Sequence, residues 1–121
     1  MKNLFAITLM IIMISGVMFA QTFKYSAYKV KVVVLETNES VVDDVDIIMT
    51  LTGYSLKFSS GAVFYFTSGL INTSSTQGYA FAEDADGKKC RVWFQAFSKT
   101  DTNIGIEYGD VGIIYQTIRI K

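Results

Sequence analysis

The chain has no histidine, no proline and a single cysteine among its 121 residues. Without histidine, a serine or cysteine nucleophile has no imidazole base, and every zinc site that includes a histidine ligand is excluded. One cysteine cannot close an internal disulfide, so stability must come from packing and sheet hydrogen bonds. The lack of proline leaves Gly, Asn, Asp and Ser to make the turns. Excess charge is missing too. Eleven basic residues balance eleven acidic ones, which gives no electrostatic case for nucleic acid or anionic lipid as a partner.

Long apolar runs are absent except at the start. Met1, Lys2 and Asn3 form a short positive opening, residues 4–14 are apolar apart from Thr8, and the composition softens through Ser15 and Gly16 to Ala20 before the polar Gln21. This is the pattern of a cleaved secretory signal peptide. The expected division is a signal peptide at 1–20 and one all-β domain at 21–121, with cleavage after Ala20 and Gly16 as the second choice. As an uncleaved anchor, residues 4–20 would make roughly 26 Å of helix, short of a ~30 Å hydrocarbon core. A lipid anchor needs a cysteine just after the apolar run, where this chain has Gln21, and Cys90 lies far downstream. Removal of 1–20 takes away Lys2 and no acid, leaving a net charge of −1. The expected location is the periplasm or the extracellular space, with no stable membrane insertion after cleavage.

The remaining ~100 residues suffice for one domain with one core. Their dominant signal is period-two alternation in short runs, with no 3.6-residue stripe. Strands are expected at residues 23–35, 45–52, 54–59, 62–67, 78–83, 89–97, 103–108 and 112–120. In the first, Tyr28, Val30, Val32 and Val34 should share one face and Lys29 and Lys31 the other. Residues 37–44 read as a polar, acidic loop and 72–77 as a second loop. Glycines 53, 61, 87, 109 and 112 fall at the expected strand ends. About eight short strands separated by short turns predict an antiparallel meander closing into a small up-and-down or half-open barrel, with a two-sheet sandwich as the alternative. Several runs are shorter than the ~9 to 11 residues that cross a membrane in a barrel, and Lys29, Lys31, Lys57 and Arg91 would interrupt a lipid-facing band.

Asp84-Ala85-Asp86-Gly87 contains the core of a calcium loop, but Ala82 stands at the first ligand position and Trp93 in the place of the bidentate acid. A hairpin explains these residues better. With Ala85, Asp86 and Gly87 as a three-residue loop and Gly87 left-handed, Glu83 pairs with Lys89, Phe81 with Arg91 and Tyr79 with Trp93. Ala80, Ala82, Cys90, Val92 and Phe94 then share the opposite, apolar face. A two-residue turn at Asp86-Gly87 would reassort the faces and set Cys90 opposite Glu83.

In the first register Tyr79, Phe81, Arg91 and Trp93 form an aromatic and cationic patch, a surface suited to sugar rings, aromatic ligands or a protein partner. The competing reading makes it the second side of a packed sheet, since the fifteen aromatics of residues 21–121 must mostly fill a core. Glu36, Glu39, Asp43, Asp44 and Asp46 gather in one stretch, and two carboxylates are the minimum for histidine-free glycoside hydrolysis; as plain loop polarity they need no such role. Asn38-Glu39-Ser40 and Asn72-Thr73-Ser74 match the glycosylation sequon, which matters only in a eukaryotic secretory pathway.

The signal peptide, Asp86-Gly87-Lys88-Lys89-Cys90 opening a strand, and Ile104-x-Ile106-x-Tyr108-x-Asp110 with Tyr115 in the closing hairpin together resemble small exported β-rich proteins of unknown function common in Bacteroidetes-type bacteria. That resemblance implies an envelope or extracellular location and supplies no site residues. The sequence therefore predicts an exported noncatalytic binding or interaction module for a small molecule, glycan or envelope protein. Contact would run through a barrel interior or the aromatic sheet face. No catalytic residue, metal ligand or cofactor site is expected. The alternatives are a small carboxylate-dependent hydrolase or lyase acting through Asp43 or Asp44, and a protein inhibitor or envelope assembly subunit.

Overall fold

The computed structural model describes residues 22–121, so the expected signal peptide lies outside the described residues. Nine strands follow one another: β1 Phe23–Val34, β2 Glu39–Leu51, β3 Ser55–Phe58, β4 Val63–Phe66, β5 Ile71–Asn72, β6 Gln77–Asp84, β7 Lys89–Ala96, β8 Asp101–Glu107 and β9 Val111–Arg119. All neighbours are antiparallel. The order β4-β3-β2-β1-β9-β8-β7-β6-β5, together with a β4–β6 pairing, closes an eight-stranded up-and-down barrel. The short β5 pairs with β6 through Ile71↔Tyr79, next to the stretch of β6 that β4 occupies through Phe66↔Ala82. Between them, Ser68 Oγ accepts from the Phe81 N–H at 2.9 Å, so β4 and β5 act as one interrupted strand along the same edge.

Turn chemistry sets the hairpins. Gly87 has φ +81°, its N–H donates to the Asp84 carbonyl and the Asp84 N–H to the Lys88 carbonyl, which is the three-residue loop with a left-handed third position. The register that follows is the one expected, with Glu83↔Lys89, Phe81↔Arg91 and Tyr79↔Trp93. Gly109 (φ +101°) is the first of the two residues between Tyr108 and Val111, whose carbonyl accepts from the Tyr108 N–H, and is the position that favours glycine in a type II′ turn.

Two sequence expectations change. Residues 39–44 are strand rather than loop: β2 starts at Glu39 and pairs with Val34, Val33 and Val32 of β1. Three valines and an isoleucine pair in 39–48 favour extended backbone in spite of the acids between them. Tyr28 does not share a face with Val30, Val32 and Val34 in simple alternation. The register of β1 shifts between Ala27 and Lys29 against both β2 and β9. Phe23, Tyr25 and Ala27 face inward before the shift, whereas Val30, opposite Tyr115, continues that face after it. The irregularity therefore swaps odd for even positions, and Tyr28 is left exposed.

An eight-stranded barrel is just wide enough to be filled by side chains. Here Tyr25, Met49, Leu51, Leu56, Val92, Ile104 and Ile106 are fully or almost fully buried in one cluster. Small inward residues on β6 (Gly78, Ala80, Ala82) leave room for rings from other strands. Phe58 of β3 meets Tyr115 of β9 edge-on at 5.2 Å across the interior, and Phe64 at 5.4 Å. Cys90 is buried among them. Burial, and secondarily the Asp84 charge, pushes its thiol up to about 11.

Candidate binding face

On the outside of the barrel the register of β6, β7, β8 and β9 stacks outward residues into three rows. One row is Gln77, Gln95, Asn103 and Gln116. The next is Tyr79, Trp93, Gly105 and Ile114, and the third is Phe81, Arg91, Glu107 and Gly112. Rows on one face of a strand repeat every second residue, about 7 Å apart, and neighbouring strands stand about 4.8 Å apart.

The four sequence-predicted patch residues come together as expected from the hairpin. Tyr79 and Trp93 rings lie 5.0 Å apart, and Phe81 packs edge-on to Tyr79 at 5.6 Å. The Arg91 guanidinium lies over both the Tyr79 ring, at 5.1 Å, and the Trp93 ring, at 5.0 Å. Its Nε donates to Glu107 Oε1 at 3.0 Å, and Nη2 donates to the same oxygen. Tyr79, Arg91 and Trp93 are half-buried, while Phe81 is exposed. The patch is neither core nor a free-standing surface: its rings and cation are held in place by each other and by Glu107.

Sequence reasoning missed what lies beside it. Beyond Trp93 the outer surface opens into a groove of about 410 Å³ lined by Trp93, Gly105, Ile114, Gln95, Asn103 and Glu107 among others. Its size is that of a small-ligand site. Gly105 forms the floor, in the interior of a strand where glycine weakens pairing and often marks close approach of another group. A Cβ placed there would stand 3.5 Å from Trp93 Cβ, 3.6 Å from the Ile113 carbonyl and 3.9 Å from Ile114 Cγ1, all ordinary contacts. Gly105 is buried, yet neither a clash nor the backbone conformation requires glycine at this position. The signal was present in the run Asn103-Ile104-Gly105-Ile106-Glu107, where position 105 points outward, but its neighbour Trp93 depends on the β7–β8 register.

The other sequence candidates are dispersed or occupied. Asp43 pairs with Val30 and Asp44 with Lys29, positions on opposite faces of the ribbon, so the two carboxylates do not converge. Asp44 stands 3.9 Å from Lys29 Nζ, both well exposed. Asp84 spends its carboxylate on the turn: Oδ1 accepts from the Lys88 N–H (2.8 Å) and the Asp86 N–H (3.0 Å), and Oδ2 accepts from the Tyr108 hydroxyl (3.0 Å). The Lys88 N–H above all, then the Tyr108 hydroxyl, hold this carboxyl below the usual aspartate range in spite of partial desolvation. Tyr108 is pushed up correspondingly, first by desolvation and then by the Asp84 hydrogen bond. Among the described residues no group of three or more acidic or cysteine side chains is placed to hold a metal ion.

No protein-family model, curated protein or solved structure matches the chain.

Proposed function

We propose that this protein is a noncatalytic binding module, exported by its N-terminal segment, whose contact surface is the outer-face groove between Trp93 and Ile114. The observation that carries the reading is Gly105. A strand interior that accepts a side chain without clash nevertheless has none, and the space so left is a groove flanked by an aromatic patch already fixed by the Arg91–Glu107 pair. The barrel interior offers less, because Tyr25, Met49, Leu56 and their neighbours occupy it. The carboxylate-dependent hydrolase reading loses its support with the divergence of Asp43 and Asp44.

Protein-observed 1H–15N NMR during titration with sugars, aromatic compounds and short peptides tests the reading. Bound components should shift the Gly105 amide and the Trp93 indole N–H, and Gly105→Val should abolish those shifts while leaving the rest of the spectrum folded. Binders that shift only residues away from the groove would refute it.

The assembly-subunit reading draws on a different feature. Among the described residues, β2 beyond Ile48 toward its start has a strand only on its β1 side, since β3 pairs with Met49, Thr50 and Leu51. Val41 and Val42 are more than half exposed there, and Glu39, Asp43, Asp44 and Asp46 make the edge acidic. An open edge of this kind accepts an added strand, and a basic extended segment is its complement. Crosslinking from the native envelope through position 42 should then recover one stoichiometric partner.

A further inference from the structure

We infer that the ligand of the groove is a neutral glycan, with a sugar ring against the Trp93 indole and its hydroxyls held by Gln77, Gln95 and Asn103; the inference rests on the binding reading above. Three features of the outer face lead to it.

The first is the amide row. Gln77↔Gln95 and Gln95↔Asn103 are direct cross-strand neighbours, one row from Trp93 and Gly105. All three line the groove and are half-buried, and none has a side-chain hydrogen bond among the described residues. Each amide offers two donors and a carbonyl acceptor. A sugar ring carries hydroxyls around its rim, each both donor and acceptor, which is what a row of amides one strand step from a stacking surface can meet. A purely apolar ligand would desolvate these amides without giving them partners, which is unfavourable.

The second is charge. Among the described residues Glu107 is the only ionisable one lining the groove, and Arg91 neutralises it. The site therefore holds no uncompensated charge to recognise an anionic or cationic ligand. The third is its position on a sheet face. β7, β8 and β9 are each paired on both sides, so no backbone donors are free to add a peptide strand. What remains on offer is a ring wall, an apolar floor and wall at Gly105 and Ile114, and the amides.

Trp93 is the only tryptophan in the chain, so its emission reports on the groove alone. The purified protein is titrated with neutral oligosaccharides built from glucose, mannose, xylose or galactose, and in parallel with uronic-acid oligosaccharides, apolar aromatic compounds and short peptides. At least one neutral series should give a saturable emission change. Gln95→Leu and Asn103→Leu, at unchanged melting temperature, should each weaken that binding tenfold or more, and a variant that fails to fold is replaced by Gln95→Ser or Asn103→Ser. Binding of a charged glycan, aromatic compound or peptide with no neutral glycan bound would overturn the glycan assignment and leave the groove as a binding site. Silence across all four classes, with the Gly105→Val protein indistinguishable from wild type, would overturn the groove itself. Glycan binding unaffected by both leucine variants would overturn the role of the amide row.

Discussion

Replacing Gly105 by alanine isolates the physical claim about the groove from any knowledge of its ligand. In a strand interior glycine is roughly 0.5–1 kcal/mol less favourable than alanine, because it loses more backbone freedom on folding. At most positions that gain is cancelled by a clash or by an unsuitable φ. Here the added methyl would sit 3.5 Å from Trp93 Cβ, 3.6 Å from the Ile113 carbonyl and 3.9 Å from Ile114 Cγ1, and the backbone lies outside the left-handed region. The whole gain should therefore be realised. For a domain of about a hundred residues, 0.5–1 kcal/mol corresponds to a rise of about 2–8 °C in Tm. Urea denaturation should show a higher midpoint at unchanged m-value, and calorimetry should show the rise in Tm. A destabilised Gly105→Ala protein would refute the reasoning, because it would mean that packing or backbone strain, not an open floor, requires the glycine. Retaining a destabilising glycine at no structural need is what a site kept for function would show.

Four further outcomes follow from the core and the barrel end. Leu56→Ala, at a position with no exposure, should cost about 2–5 kcal/mol, a large part of a domain's usual 5–15 kcal/mol, measurable by urea titration. Tyr25→Phe should raise stability by about 1 kcal/mol in the same assay, since the Tyr25 hydroxyl is buried with no partner among the described residues and an unpaired buried hydroxyl is unfavourable. The depressed Asp84 carboxyl stabilises the fold above its unfolded pKa, near 3.8, and this contribution is lost as pH falls through the lower folded value. The Tm gap between wild type and Asp84→Asn should therefore be constant near neutrality and close in acid below about pH 4; a gap that widens there would contradict the sign. The Cys90 thiol, buried and pushed up to about 11, should resist a disulfide reagent at pH 8 in the native protein and react promptly in denaturant.

Much of the fold was legible locally. The three-residue loop at Ala85, Asp86 and Gly87 is short-range chemistry, and pairing Glu83 with Lys89 fixed a register that carried Tyr79, Phe81, Arg91 and Trp93 to one face and Ala80, Ala82, Cys90, Val92 and Phe94 to the core. Residues 39–44 were misread because acidic composition outweighed the valines between the acids, whereas pairing with the valines of β1 settled them as strand. The face of Tyr28 was misread for another reason. An alternation rule has no term for a register shift, and the register of β1 shifts between Ala27 and Lys29 against both β2 and β9.

The groove shows the same division within a single site. By itself the sequence determined the alternation of β6, β7, β8 and β9, the glycine turns at Gly87 and Gly109 and the pairing of Trp93 with Tyr79, all of which depend on residues close along the chain. Tertiary structure alone decided that β4 would close on β6 and that Gly105 would lie between Trp93 and Ile114. It also decided that the amides of Gln77, Gln95 and Asn103 would line up beside them. The reason is that a row across four strands is the product of three successive registers. Each is fixed by a different turn and by burial of the inner face, and an error of one residue in any of them would turn that strand's outward residues into the core.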